Sequence, residues 1–200
     1  MSDDEIFVSI DIETDGPCPG LNSMLSIGAV AYDQWENQVG VWYSTLAPLT
    51  DCNPDAETMA WWATQPAAWA EVSVSRNRPR ETIADFGYWC EALRGKPTVV
   101  AWPAVFDFAF TSYYLHRFTG RNPLGYDALD IRSYASGIAR CPGYHDELPE
   151  TEIRKMAGDI DITGLRPHHA LDDAIEQGRL FLGLRRYALR NPVMTRADRP

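Results

Sequence analysis

Residues 6–13 alternate: Ile6, Val8, Ile10 and Ile12 stand two apart, with Phe7, Ser9, Asp11 and Glu13 between them. Residues two apart share one face of a strand. One face is therefore wholly aliphatic and predicts a core strand. The other starts apolar at Phe7 and ends in two neighbouring acids, ahead of the turn residues Thr14, Asp15, Gly16 and Pro17. A Pro/Gly loop reaches Asn22. Residues 25–32 and 39–46 predict two further strands around the turn DQWENQ, so the first three strands form an antiparallel meander.

The period then lengthens to that of helices. Asn53-Pro54 predicts an N-cap with Pro at the first helical position, opening a helix through Trp61 and Trp62. A short helical piece follows at Pro66–Val72, then a stronger helix over 80–94, stopped by Gly95 and Pro97. TVVAW, at 98–102, predicts a strand running into a helix over 104–118 that ends at Gly120. Helical segments are expected over 129–136 and 151–157, a loop at 164–167, and a long helix over 169–190 stopped by Asn191-Pro192. Strands first, then helices interleaved with another strand, predict an α/β domain with a mixed sheet. Its functional groups should gather at the carboxyl ends of the strands.

Composition narrows the function. Two hundred residues, 45% of them hydrophobic, suit one domain over 1–192, with 193–200 a flexible tail. No apolar run approaches the roughly eighteen residues of a membrane span, and MSDDEIF lacks a signal-peptide pattern. Cys18, Cys52, Cys90 and Cys141 form no metal-type or disulfide spacing, so a reducing cytoplasm is the expected compartment. The net charge of −10 argues against a broad grip on duplex DNA but leaves room for a small site acting on a strand end. Arg76, Arg78 and Arg80 read either as a solvated loop or as a guide for a phosphate backbone.

Three signals carry chemistry. Asp11 and Glu13 project side by side from a buried strand end, where like charges raise each other's pKa unless something positive lies between them. A divalent cation fits; a solvated acidic strand end is the plain alternative. Asp107 falls in the first turn of a helix among Phe106, Phe108 and Phe110, where it either awaits a partner or simply favours the helix dipole. In PHHALDDAI, at about 100° per residue, Asp172 joins a polar stripe with Glu176, Arg179 and Arg186. Asp173 lies inward, in line with Gln177, Leu180 and Leu184. His168, five residues ahead of Asp173, can lean over the same place. Asp130 is expected to be a helix N-cap.

The ordered set DIET, FDFAF and HHALDD resembles the DEDDh 3′–5′ exonucleases, which include the DnaQ proofreading exonucleases, RNase T and oligoribonuclease. The TMAWWATQP helix is similar to that of small phage exonuclease A-like exoribonucleases. The resemblance covers Asp11 to Asp173 and implies an RNase H-like mixed five-stranded sheet flanked by helices. It implies that Asp11, Glu13, Asp107, Asp173 and His168 are catalytic, the four carboxylates holding two divalent cations, Mg²⁺ or Mn²⁺, about 4 Å apart. His168 would be the general base, and nucleoside 5′-monophosphates would leave the 3′ ends of single-stranded RNA or DNA, with a lean to RNA. Thr14 would contact the terminal sugar through its backbone. Trp61, Trp62, Phe106 and Tyr114 are the candidates to stack on bases, against core packing as the alternative. Many relatives carry Asn where this chain has Pro103, and some are homodimers. A catalytically silent nucleic-acid-binding module on the same fold and an Asp-nucleophile phosphatase are the rival expectations.

Overall fold

The computed structural model describes residues 4–139 and 148–192. Its sheet has five strands: β1 (Glu5–Thr14), β2 (Met24–Asp33), β3 (Gln38–Thr45), β4 (Lys96–Ala101) and β5 (Ala128–Asp130), in the order β3-β2-β1-β4-β5. β1 pairs antiparallel with β2 and β2 with β3, forming the expected meander, while β1–β4 and β4–β5 are parallel. Seven helices lie among the described residues: α1 (Ala56–Trp62), α2 (Pro66–Val72), α3 (Pro79–Ala92), α4 (Ala104–Thr119), α5 (Ile131–Ile138), α6 (Glu150–Ala157) and α7 (Ala170–Arg190).

The alternation in β1 sorts its side chains between two cores. Ile6, Val8, Ile10 and Ile12 pack with Ile83 and Phe86 of α3 and with Phe110, Tyr114 and Leu115 of α4. On the other face Phe7 packs with Phe181 and Leu184 of α7 and with Ile153 of α6. Glycines set how closely α7 approaches the sheet. A Cβ at Gly28 of β2 would lie 2.3 Å from the Leu171 backbone nitrogen, and one at Gly178 would lie 2.6 Å from the Tyr32 ring. Any side chain at either position would push the helix off the strands.

Two local expectations need correction. The N-cap of α1 is Asp55, whose carboxylate accepts from the Thr58 backbone N–H at 2.9 Å; Asn53 and Pro54 precede it. Residues 128–130 form β5, where the pattern predicted the start of a helix. Three residues are too few to show alternation, and their strand conformation comes from pairing with Val99, Val100 and Ala101. Asp130 then caps α5 as expected, accepting from Ser133 N–H at 2.8 Å. The expected tail at 193–200 and Cys141 lie outside the described residues.

Candidate active site

The last ladder pair between β1 and β4 is Ser9 with Val100. Beyond it β1 continues without a strand on that side, and the chain after β4 turns into α4. The Ile12 backbone N–H is taken instead by the carboxylate of Asp107, from the first turn of α4. Asp107 is buried, and its Oδ2 has no hydrogen-bond partner among the described residues. Asp11 and Glu13 emerge from the same stretch of β1 on the side that α7 covers.

α7 closes the cluster. Its N-cap is His169, whose Nδ1 accepts from Asp172 N–H at 3.3 Å. His168 precedes it with a φ of 60°, a left-handed backbone that non-glycine residues seldom adopt. That turn lets the His168 N–H donate to the Asp173 carboxylate. Glu13, His168 and Asp173 each present a ligand-type atom, all within 4.8 Å of one another. Gln177, one turn beyond Asp173, donates to Asp11 Oδ1 at 2.7 Å and accepts from the Trp102 backbone N–H at 2.8 Å.

The electrostatics follow from burial first and from neighbouring carboxylates second. Burial, then Asp107, Glu13 and Asp173, push the Asp11 carboxyl well above its usual range, with only Gln177 opposing. Burial followed by Asp173 and Asp107 raises Glu13 to about 8. Burial raises Asp107 too, against the Ile12 hydrogen bond. Asp173 is raised to about 6 by burial, against the His168 hydrogen bond. Among the described residues no ion pair reaches any of the four. An orphaned buried carboxylate oxygen within an oxygen-rich cluster fits a hard divalent cation.

Beside this cluster lies a second one whose polar side chains are hydrogen-bonded to one another. His169 is buried; its Nε2 lies 3.0 Å from Glu71 Oε1 and its ring 4.5 Å from Tyr43. Glu71 also accepts from the Tyr43 hydroxyl at 2.9 Å and from Arg166 at 3.2 Å. Asp172 takes Arg166 Nε at 2.8 Å; burial pushes its carboxyl up, but the Arg166 hydrogen bonds prevail and hold it low. Asp172, expected on the polar stripe of α7, is thus largely covered and paired with Arg166.

The aromatic candidates divide. Trp62 is buried and donates its indole N–H to the Thr14 carbonyl at 2.8 Å, so it cannot stack on a base. Tyr114 is fully buried, its hydroxyl accepting from Met24 N–H. Trp61 is exposed and meets the His168 ring edge-on at 4.9 Å. Phe106 and Trp61 line a cavity of about 310 Å³ with Glu13 and Thr14. The Thr14 carbonyl accepts from the Trp62 indole, and Thr14 lines this cavity. A second cleft, of about 410 Å³, opens on the other flank, between Asp11, Asp173, Trp102 and Arg154. Arg76, Arg78 and Arg80 are engaged locally, by the carbonyls of Val74 and Ser75, by Glu81 and by the Phe118 carbonyl.

Sequence reasoning missed Gln177 and Glu71. The signal for Gln177 was present, as the one amide in a stripe of leucines. Glu71 gave none, since its partners come from β3 and from the loop before α7.

A five-stranded mixed sheet with helices on both faces is the RNase H-like fold of exonucleases. Escherichia coli exonuclease I in complex with a dT13 oligonucleotide superposes with a TM-score of 0.68 at 17% identity, over 93% of this chain and 42% of that one. The chain therefore spans less than half the length of exonuclease I. Pop2p of S. pombe, in its Mg²⁺- and Mn²⁺-bound form, gives 0.66 at 15% identity, over 95% and 86%. These likenesses define the fold; sequence defines the family. Residues 6–183 match the 3′–5′ exoribonuclease Rv2179c-like domain. The 3′–5′ DNA exonuclease Cap18 of Escherichia coli is 33% identical over 184 residues, covering 90% of this chain and 91% of Cap18. The chain belongs to the Rv2179c-like family and is a 3′–5′ exonuclease.

Proposed function

We propose that the protein hydrolyses single-stranded nucleic acid from its 3′ end, one nucleotide at a time, at the cluster formed by Asp11, Glu13, Asp107, His168 and Asp173. The observation that carries this reading is the convergence of four carboxylates from β1, α4 and α7, with no cationic side chain paired to them among the described residues and one histidine at their rim. Asp11, Glu13, Asp107 and Asp173 would hold two divalent cations, Mg²⁺ or Mn²⁺. When bound, these cations supply charge neutralisation at the phosphate and a water acidified enough to attack it.

The chain's own residues do the rest. His168 takes the proton from the attacking water, its imidazole aimed by the left-handed turn and by the edge of Trp61. The 310 Å³ cavity takes the terminal nucleoside, with Trp61 and Phe106 against the base. The opposite cleft, floored by Trp102, takes the preceding nucleotide. Deprotonated carboxylates are needed, so cations would compete with the protons that burial favours on Glu13 and Asp173.

The sugar has two opposed pointers. The family description and the Trp61-Trp62 helix point to RNA, while the curated relative is described as a DNA exonuclease. One experiment addresses both questions: 5′-labelled single-stranded RNA and DNA of one sequence, with Mg²⁺, Mn²⁺ or EDTA. A ladder shortening from the 3′ end only in the presence of cation supports the reading, and the faster substrate identifies the sugar. No cleavage of either, from protein that binds Mn²⁺, would favour a silent binding module.

A further inference from the structure

Gln177 has two hydrogen bonds that join three elements at the cation-ligand cluster. Its Oε1 accepts from Trp102 N–H, just past the end of β4, and its Nε2 donates to Asp11 Oδ1 on β1. Amide orientation is often ambiguous, but here it is determined. A backbone N–H can only donate, so the oxygen must face Trp102 and the nitrogen must face Asp11. Gln177 itself is part-buried on α7, one turn past Asp173. Among the described residues it provides the only side-chain hydrogen bond to Asp11, and the only influence that favours the charged carboxylate against three like-charged neighbours.

We infer that Gln177 is a positioning residue: it fixes the Asp11 carboxylate about its Cβ–Cγ bond so that Oδ1 is occupied by the protein and Oδ2 is presented to the cation. The inference rests on the reading of Asp11 as a cation ligand. It explains why a polar side chain interrupts the Leu180 and Leu184 stripe, and it couples the end of β4 to the ligand set. Partners of this kind, one bond removed from the ion, change metal affinity or activity by roughly 10–100-fold when removed.

The test uses Gln177→Met, which keeps the length and removes both hydrogen bonds, and Gln177→Ala beside it. Mn²⁺ binding is measured by calorimetry without substrate, and kcat and KM on a labelled oligonucleotide. Positioning predicts Mn²⁺ affinity weakened by about tenfold or more, with the loss of rate in kcat and KM little changed. Variants that are folded, bind Mn²⁺ as the wild type does and retain kcat would overturn the inference. If both variants fail to fold, hydrogen exchange of the wild-type Trp102 amide decides. Greater protection on adding Mg²⁺ supports the coupling, and no change overturns it. The two readings fail differently. A wild type that binds no Mn²⁺ sinks the proposed function, whereas a wild type that binds and cuts while Gln177→Met does the same sinks only the role of Gln177.

Discussion

His168 and His169 are consecutive, yet they face opposite kinds of surroundings. His168 lies beside Glu13 and Asp173, in a cluster of four carboxylates with no cationic side-chain partner among the described residues, where burial first and neighbouring carboxylates second push Asp11 and Glu13 upward. His169 sits in a network where Glu71, Asp172, Arg166 and Tyr43 are linked by hydrogen bonds and ion pairs. The first arrangement is unfavourable by itself, because like charges out of water repel and one carboxylate oxygen has no hydrogen-bond partner among the described residues. The second holds the loop before α7 against α2 and β3. Frustration and satisfaction are thus placed one residue apart. The paired network makes the backbone rigid where the unpaired cluster needs its histidine aimed, and the unpaired cluster keeps its binding energy for a ligand from solution.

Four outcomes test this contrast. The largest effect should come from His168→Ala, which is expected to lower kcat by about 10²–10⁴-fold. His169→Ala acts only through the loop and should cost roughly 10–100-fold. Single-turnover rates on one oligonucleotide give both numbers, and equal losses would erase the distinction between the two histidines. Next, chelation and the Asp107→Asn substitution should reverse the usual sign. In EDTA at pH 8, Asp107→Asn should melt higher than wild type, because it removes a buried like charge and keeps an oxygen for Ile12 N–H. Glu71→Ala should lose about 1–3 kcal/mol by orphaning the groups it accepts from. Denaturant melts of the two variants compare them directly, and destabilisation in both would mean that the acidic cluster is not frustrated.

Smaller, and graded with pH, is the effect on the cation-free protein. The folded chain holds protons on Asp173 up to about 6 and on Glu13 up to about 8, above the ordinary carboxylate range. A group whose pKa is raised on folding adds stability at low pH and loses it as the pH climbs through the folded value. In EDTA the Tm should therefore fall between about pH 5 and pH 8, and saturating Mg²⁺ or Mn²⁺ should flatten that fall. A Tm that rises with pH would contradict the cluster's electrostatics. Smallest should be the effect of neutralising Arg76 and Arg78 together. Their hydrogen bonds are local, so KM and its salt dependence should stay within about twofold of wild type. A marked KM increase would restore them as a guide for the strand.

Much of this geometry was legible in the chain. Alternation in residues 6–13 sorted the core face from the acidic face, and the helical spacing of α7 separated Asp172 from Asp173. What stayed hidden depends on partners distant in sequence. β5 is a strand only because β4 lies beside it, and Asp55 caps α1 in a loop where Asn53 was the equally plausible residue. Trp61 and Trp62 look alike as neighbours, and only the Thr14 carbonyl decides which one is buried. The matched network around His169 draws on β3, α2 and the loop before α7, so no local pattern announces it.

The backbone at His168 has a practical consequence. An alanine there keeps the left-handed turn and the strain that goes with it, whereas a glycine adopts the same turn freely. His168→Gly and His168→Ala both remove the imidazole, yet the glycine variant leaves the loop relaxed and the acidic cluster whole. If His168 is the proposed general base, the glycine variant is expected to be the better inactive form for trapping cations with an intact strand. The difference in melting between the two variants sets the relief of the left-handed turn against the extra unfolded-chain entropy of glycine, so a glycine variant that melts higher shows that the relief is the larger.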